Sequence, residues 1–459
     1  MHHHKGQLRR IASHAVHSGF GSLLHDFNLL HHLPYRVFRR RDAFARASAD
    51  GRALCRTLEE LGPGFVEAGK IIASRSDIIP RPFQNALLNS HAALPVMDVT
   101  KFTKLLRRAI GRSAINEIGS IEPRPYRSNA VSETRKAILK NGKRTLITVN
   151  DPKAVYRLGR NLESIRELAP AIRTRFAGII FENILEEFER RAGLLSDLSV
   201  VAARVEMLDA HFEHHQKITI PEVLWEYTSR DVLVQRWHNY PNMREIASGH
   251  KKTGAARTYI NRYMAEAFIY QYGVGGVFIL RPLLSDMQIG AGNTVIINHV
   301  LATGYLEPEE RKQFVAILYA LLEGECESAA KVLLASHYAA GRSHSYFASG
   351  IQVPEPKKAP ISELLWELLE QAWHGNLHVA LGISMAAESV LYLEHAFSRF
   401  DSEASLNDNL RLAIKKYIPE MFGVKKTASV KEIVVSAISG SDPPIRRGGD
   451  AYTKSVAAA

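Results

Sequence analysis

Apolar residues recur every three or four positions along most of this chain, and the places where that spacing fails mark its strands. In residues 7–48, Ile11, Ala15, Phe20, Leu23, Leu24, Phe27, Leu29 and Leu30 predict two amphipathic helices parted at Pro34. Residues 50–112 read as helical, with a break at Pro80-Arg81-Pro82. Near residue 120 the period shortens. Arg144-Thr145-Leu146-Ile147-Thr148-Val149 is short and rich in β-branched residues, and Asn141-Gly142 before it is a strong turn signal, so residues 125–149 are predicted to form a β-hairpin. Helical spacing returns over 153–215. Ile218–Val223 and Asp231–Val234 read as strands. From about 255 the pattern is helical again, apart from a strand-like patch at Thr294–Ile297, with core helices expected over 307–339, 360–375 and 376–398. The tail from Ser439 is poor in apolar residues and is expected to be disordered.

Composition changes this picture little. The chain has 459 residues, 46% hydrophobic and 23% charged, enough for two or three domains of an ordinary globular type. Its two cysteines, Cys55 and Cys326, define neither a disulfide framework nor a metal pattern. No apolar run reaches the ~18 residues that span a bilayer, which leads to the expectation of a cytoplasmic protein. Charge says more. The net charge is +12, and residues 1–50 carry eight Lys/Arg against three acids. A basic balance favours anionic partners. For the N-terminal helices there are two readings: attachment to an anionic membrane surface, peripheral to an inner membrane, or packing on the protein's own body. The second is the commoner fate of an apolar helix face. Nucleic acid is not expected as a partner.

The chemistry-bearing motif lies at residues 61–80. Leu61, Gly62, Pro63, Phe65, Gly69, Ser74, Arg75, Asp77 and Pro80 stand where the N-terminal signature of the UbiB/AarF (coenzyme Q kinase-like) atypical kinases has the same residues. The chain resembles that family over roughly residues 7–425. The signature runs Leu-Gly-Pro-x-Phe-x-Lys-x-Gly-Gln. Here Glu67 stands for its Lys and Lys70 for its Gln.

The resemblance implies an α+β, predominantly helical, two-lobed protein-kinase-like fold. It divides into a helical N-terminal extension over 1–115, an N-lobe with inserted helices over 116–237, a helical C-lobe over 238–438 and the tail 439–459. It also implies where the kinase groups should be. Phosphoryl transfer needs a strand Lys, a helix Glu paired to it, a catalytic Asp, and an Asn and Asp for Mg²⁺. The Lys position is Thr148, its Glu is Val201, the catalytic Asp is Arg281 and the Mg²⁺ Asp is Asn298. The metal Asn is Asp286, and the hinge reads Val234-Gln235-Arg236. The family's Ala-rich loop aligns with residues 129–135, where Glu133 would face phosphates unfavourably. The competing reading of that stretch is an exposed hairpin edge.

Four losses together imply a pseudokinase with no catalytic residues, no metal and no cofactor requirement. It would act as a binding, scaffold or regulatory protein in ubiquinone or isoprenoid-lipid metabolism. The implied partners are a prenyl lipid or anionic membrane surface, an active paralogue, or quinone-biosynthesis proteins. The alternative is a residual ATPase or kinase in which Asp197, Gln235 and Asp286, with Lys70, keep some nucleotide or cation binding. Glu67 and Arg281 are expected to compensate one another as a charge pair. Elsewhere, Asp209, His211, Glu213, His214 and His215 crowd together but lack an HExxH frame, and read as a solvated helix end. Tyr272-Gly273-Val274-Gly275-Gly276 follows a helix, which is the wrong context for a dinucleotide loop.

Overall fold

The computed structural model describes residues 55–73, 87, 96–173, 178–213, 215, 217–249, 257–335, 357–374, 379–401 and 404–438. The helices predicted within 7–48 and the tail from 439 lie outside these residues, as do Arg75, Asp77 and His214. Two compact units are present, each assembled from separated stretches. The first takes Met1–Met264, Val277–Gly304 and Glu388–Ala404. The second takes Ala265–Gly276, Tyr305–Ala387 and Ser405–Ala459. The positions 115 and 237, expected as boundaries, both fall inside the first unit.

In chain order the elements begin with α1 (Pro63–Ala73) and α2 (Val99–Asn116). Four strands follow: β1 (Ile118–Ile121), β2 (Arg127–Ser128), β3 (Ser132–Leu139) and β4 (Arg144–Asn150). Next come α3 (Pro152–Arg173), α4 (Gly178–Ser196), α5 (Leu198–Phe212), β5 (Ile218–Thr219), β6 (Val232–Arg236), α6 (Met243–Ala247) and α7 (Arg257–Tyr270). Then β7 (Val277–Ile279), β8 (Met287–Ile289), β9 (Val295–Ile297) and β10 (Thr303–Tyr305) lead to α8 (Pro308–Leu322), α9 (Cys326–Ala335), α10 (Ile361–His374), α11 (Leu381–Phe400), α12 (Leu406–Phe422) and α13 (Val430–Ile438).

The first unit is built on an antiparallel sheet ordered β1-β3-β4-β6, with β2 also on β3. The predicted hairpin is its centre. The side-chain Oδ1 of Asn141 accepts from the Lys143 amide at 3.0 Å, and Gly142 takes φ +83°, which a tight turn requires and a side chain disfavours. Register then decides which side chain faces where. Arg135 pairs with Ile147, Ala137 with Thr145, Val149 with Val232, and Ile147 with Val234. Side chains alternate across a pleated strand, so these residues share one face. That face packs Ala137, Leu139, Ile147, Val149, Val232 and Val234 against Phe102 and Leu106 of α2. The opposite face carries Thr134, Thr148 and Leu233 in one row, and Lys136, Leu146 and Gln235 in the next. A second cluster packs Ile71 of α1 with Ala154 and Leu158 of α3 and with Phe188 and Ala192 of α4.

Both readings of residues 129–135 are corrected. Glu133 neither faces a ligand nor sits on an exposed edge: it is fully buried. Its Oε1 accepts from Arg135 Nε at 2.7 Å and its Oε2 from the Met97 amide at 2.9 Å. Arg135, also fully buried, donates onward to the carbonyls of Met97, Pro123 and Glu122, and its guanidinium lies over the Phe102 ring. The strand predicted over Ile218–Val223 shortens to Ile218–Thr219, because Pro221 has no N–H to extend a ladder. The stretch after 255 is less helical than expected. Strands β7, β8 and β10 are three residues each (Val-Phe-Ile, Met-Gln-Ile and Thr-Gly-Tyr), too short for spacing to separate strand from helix.

In the second unit α8 is the centre, buried without interruption from Gln313 to Leu322. Tyr272, in a π-helical turn over Gln271–Gly275 that continues α7, meets the Phe314 ring edge-on at 5.2 Å. Gly273 and Gly275 lie in that helical turn, a Cβ at Gly273 would collide with Met421, and Gly276 caps the turn at φ +79°. They do not form a phosphate loop.

Breaking the buried pair leaves a charge with no compensation. Glu133→Ala is expected to cost about 3–5 kcal/mol in chemical denaturation, and the double variant Glu133→Leu/Arg135→Met to recover most of it. Equal loss in single and double variants would show that the pair carries no special weight.

Candidate functional site

The signature segment is a tightly seated helix. Gly62 holds φ +126°, outside the range of L side chains, and a Cβ at Gly69 would lie 2.5 Å from Leu58 Cδ1. Asn161 on α3 fastens the entrance, its Oδ1 accepting from the Gly64 amide at 3.1 Å. This seating presents Glu67 and Lys70 to one another on consecutive turns, with Nζ 2.7 Å from Oε1.

Glu67 and Arg281 do meet. Arg281 Nη1 lies 3.4 Å from Glu67 Oε2, and its Nε lies 3.2 Å from Glu388 Oε1 on α11. Arg191 on α4 bonds both Glu388 and Glu187. The result is a buried network of three carboxylates and three cations: Glu67, Glu187, Glu388, Lys70, Arg191 and Arg281. Burial by itself would raise the Glu67 carboxyl, but Lys70, Arg281 and Arg191 outweigh it and hold the group down at about 2. Burial likewise disfavours charge on Arg281, and Tyr392, Glu388 and Glu67 raise its affinity for the proton beyond the ordinary arginine value.

A second network covers the sheet face opposite α2. Thr148 Oγ1 is 2.8 Å from Thr134 Oγ1, which is 2.9 Å from His299 Nε2. His299 Nδ1 stands 4.0 Å from Asp286 Oδ1, and Arg127 Nη2 lies 2.6 Å from that same oxygen. Arg127 also donates to Ser285 Oγ, and Tyr126 meets the His299 ring edge-on. Burial, with Arg127 nearby, lowers His299 to about 3, so the imidazole is neutral. Burial raises Asp286 to about 7 against the pull of Arg127.

The other expected positions fall as follows. Asn298 is fully buried, its amide N–H donating to the Asp286 carbonyl at 2.8 Å. Gln235 is buried on β6, in the sheet row beside that of Thr148. Val201 is buried in α5. Asp197 is the N-cap of that helix, accepting from the Ser199 amide at 3.0 Å, so its carboxylate is committed to capping. Thus Thr148 and Asp286 join one network and Glu67 and Arg281 another. Thr134, His299, Arg127, Glu388 and Arg191 complete them and were missed. Strand alternation from Thr148 pointed to Thr134, but no sequence signal pointed to the rest. Among the described residues no three His, Cys, Asp or Glu side chains group as metal ligands, and no helix is long and apolar enough to cross a membrane.

The strands then helices of this chain, with these positions on them, form a kinase-like fold, α+β and mostly helical. The family model described as "ABC1 atypical kinase-like domain" matches residues 89–333. The chain belongs to this family, the UbiB/AarF atypical kinases. An uncharacterized protein of Synechocystis, slr0889, is 21% identical over 63% of this chain and 74% of its own length. A probable protein kinase UbiB of Xylella fastidiosa is 24% identical over 42% of this chain, and one of Pseudomonas fluorescens is 26% identical over 44%. The matches span only 36% and 38% of those two relatives' lengths. A solved complex of Rv3197 with erythromycin, from Mycobacterium tuberculosis, aligns with a TM-score of 0.44 at 18% identity over 63% of this chain and 74% of that one.

Two outcomes test the networks. In a double-mutant cycle, Glu67→Gln and Arg281→Gln are expected to couple by more than about 1 kcal/mol, whereas additive losses would mean the two do not interact. The pH dependence follows from the two carboxyls. Asp286 is raised in the fold, so its contribution is full below its unfolded value near 4 and is lost as pH rises through about 7. Glu67 is lowered, so its contribution is full above about 4.5 and is lost only as pH falls through about 2. Asp286→Asn is therefore expected to flatten the fall in melting temperature between about pH 4 and 7, and an unchanged slope would exclude Asp286 as its source.

Proposed function

We propose that this chain is a catalytically degenerate UbiB-type kinase homologue. It binds, scaffolds or regulates instead of transferring phosphoryl groups, in ubiquinone or other isoprenoid-lipid metabolism. Its partners on this reading are an active paralogue or quinone-biosynthesis proteins, together with a prenyl lipid or anionic membrane surface. The pathway rests on family resemblance. The degenerate state is supported by one observation above the others. Thr148, where the family has its phosphate-binding Lys, is neutral, buried, and hydrogen-bonded through Thr134 to a neutral His299. A magnesium nucleotide needs cationic and anionic groups free to turn toward it. Here Arg281 is engaged by Glu67 and Glu388, and Asp286 by Arg127. Asn298 is a weaker ligand for a hard cation than a carboxylate. These residues do not fit the nucleotide in the family manner.

One observation favours the residual-binding alternative. No hydrogen bond reaches either side-chain amide atom of Asn298 among the described residues. Unpaired buried polar atoms are costly, and a hydrated cation would satisfy them. Melting of the full-length protein, titrated with ATP and Mg²⁺, separates the readings. The expected shift is below about 1 °C, since a ligand stabilises only a fold that binds it. Strong metal-dependent stabilisation, with ATP hydrolysis abolished by Asp286→Ala, would overturn the pseudokinase reading.

A further inference from the structure

On the Thr148 face of the sheet, the hydroxyls of the inner row satisfy one another and His299, but the polar groups of the next two rows stay unpaired. Register and strand alternation set Lys136, Leu146 and Gln235 in the second row, and Ile138 and Arg144 in the third. Trp237 extends the third row, its amide donating to the Arg144 carbonyl at 2.9 Å. Gln235 is 1% exposed, and its Nε2 has no acceptor among the described residues. The buried indole Nε1 of Trp237 has none either. Lys136 is half-buried, its Nζ 4.2 Å from the centre of the Trp237 ring and 5.7 Å from that of Tyr126. Among the described residues no carboxylate pairs with Lys136 or with the exposed Arg144.

We propose that these two rows hold a small planar aromatic acid, its carboxylate on Lys136 and its ring along the indole of Trp237. This rests on the reading that the chain is a binding protein and not a kinase, and it gives that binding a ligand class. The unpaired atoms here are all N–H donors: an ammonium, a guanidinium, a side-chain amide and an indole. An acceptor satisfies them, and two of them are cations without a counter-charge, so the acceptor that gains most is an anion. Cation–π attraction to Trp237 and Tyr126 holds the ammonium more weakly than a charge-assisted hydrogen bond would. Lys136 can therefore turn to a carboxylate and leave the indole face open for a ring to stack on. An isoprenoid or acyl chain would cover the donors without bonding them. A magnesium nucleotide would need a free carboxylate for its metal, and Asp286 is engaged by Arg127. Burial limits size: Leu146 and Gln235 are buried and Tyr126 and Trp237 half-buried, so what reaches them is a small molecule and not the broad surface of a macromolecule.

Calorimetric titration of the full-length protein tests this with naphthalene-2-carboxylate, with the corresponding neutral alcohol, and with the non-planar acid cyclohexanecarboxylate. The naphthoate is expected to bind with a Kd below about 1 mM, within reach of so small a ligand. The other two are expected to bind at least about tenfold more weakly, one for want of the charge and the other for want of the ring. Lys136→Gln and Trp237→Leu are each expected to weaken the naphthoate at least about tenfold, with circular dichroism and melting unchanged. Should Trp237→Leu fail to fold, Lys136→Gln decides alone. No binding of the naphthoate would overturn the site. So would equal affinity for either control, or unchanged affinity in the folded variants. A parallel titration with ATP and Mg²⁺ separates this from the pseudokinase reading. Naphthoate and ATP both without effect sinks the aromatic-acid site alone, whereas ATP hydrolysis sinks the pseudokinase reading whatever the naphthoate does.

Discussion

Charge neutrality in a buried place is the constraint on which the first unit depends. Glu67, Glu187 and Glu388 share their burial with Lys70, Arg191 and Arg281, and no member can lose its charge without stranding another. Four segments that are far apart in sequence are held in one place by this balance: the signature helix α1, helix α4, the stretch after β7, and the middle of α11. The resemblance places Lys where Glu67 stands and Asp where Arg281 stands. On that alignment the two signs stand reversed, and in this chain Glu67 and Arg281 attract one another at 3.4 Å. A pair can keep its structural value when both signs are inverted, while a reaction that needs the Asp in its own position cannot.

The sheet shows the same logic with neutral groups. Its α2 face is apolar apart from Thr145 and the Glu133–Arg135 pair, which saturates itself with hydrogen bonds to the backbone of Met97 and Pro123. On its other face, Thr148 has turned to Thr134 and His299. A hydroxyl gives and takes hydrogen bonds without carrying charge, so it can be buried among neutral neighbours where an ammonium would need a carboxylate. Val201, where the resemblance places the helix Glu, is buried and apolar in keeping with this. With no strand cation to hold, a buried carboxylate there would have no partner, and valine packs in its stead.

Much of this was legible in the chain. Asn141-Gly142 and the β-branched run after it specify the hairpin because few residues take φ above zero and few others prefer a pleated surface. Two-residue alternation also fixes which of Thr145, Leu146, Ile147 and Thr148 share a face. Strands of two or three residues, such as β7 and β8, were not legible, because so short a run offers no period to read. Glu133 was misread for a related reason. Its neighbour Arg135 is two residues along, on the same face, but whether that face is open or covered depends on α2, which folds over it from another part of the chain.

By itself, then, the sequence determined the local elements, the family frame of Leu61–Gly69 and the identity of the exchanged residues. These depend on backbone preferences and on residue type, both local properties. The tertiary structure alone decided that Glu67 finds Arg281 across 214 residues of sequence, and that Arg127, Glu388 and His299 complete the two networks. Electrostatic and hydrogen-bonded partners are chosen by distance in space and by shared exclusion of water. Neither is written in the spacing of residues along a strand or helix.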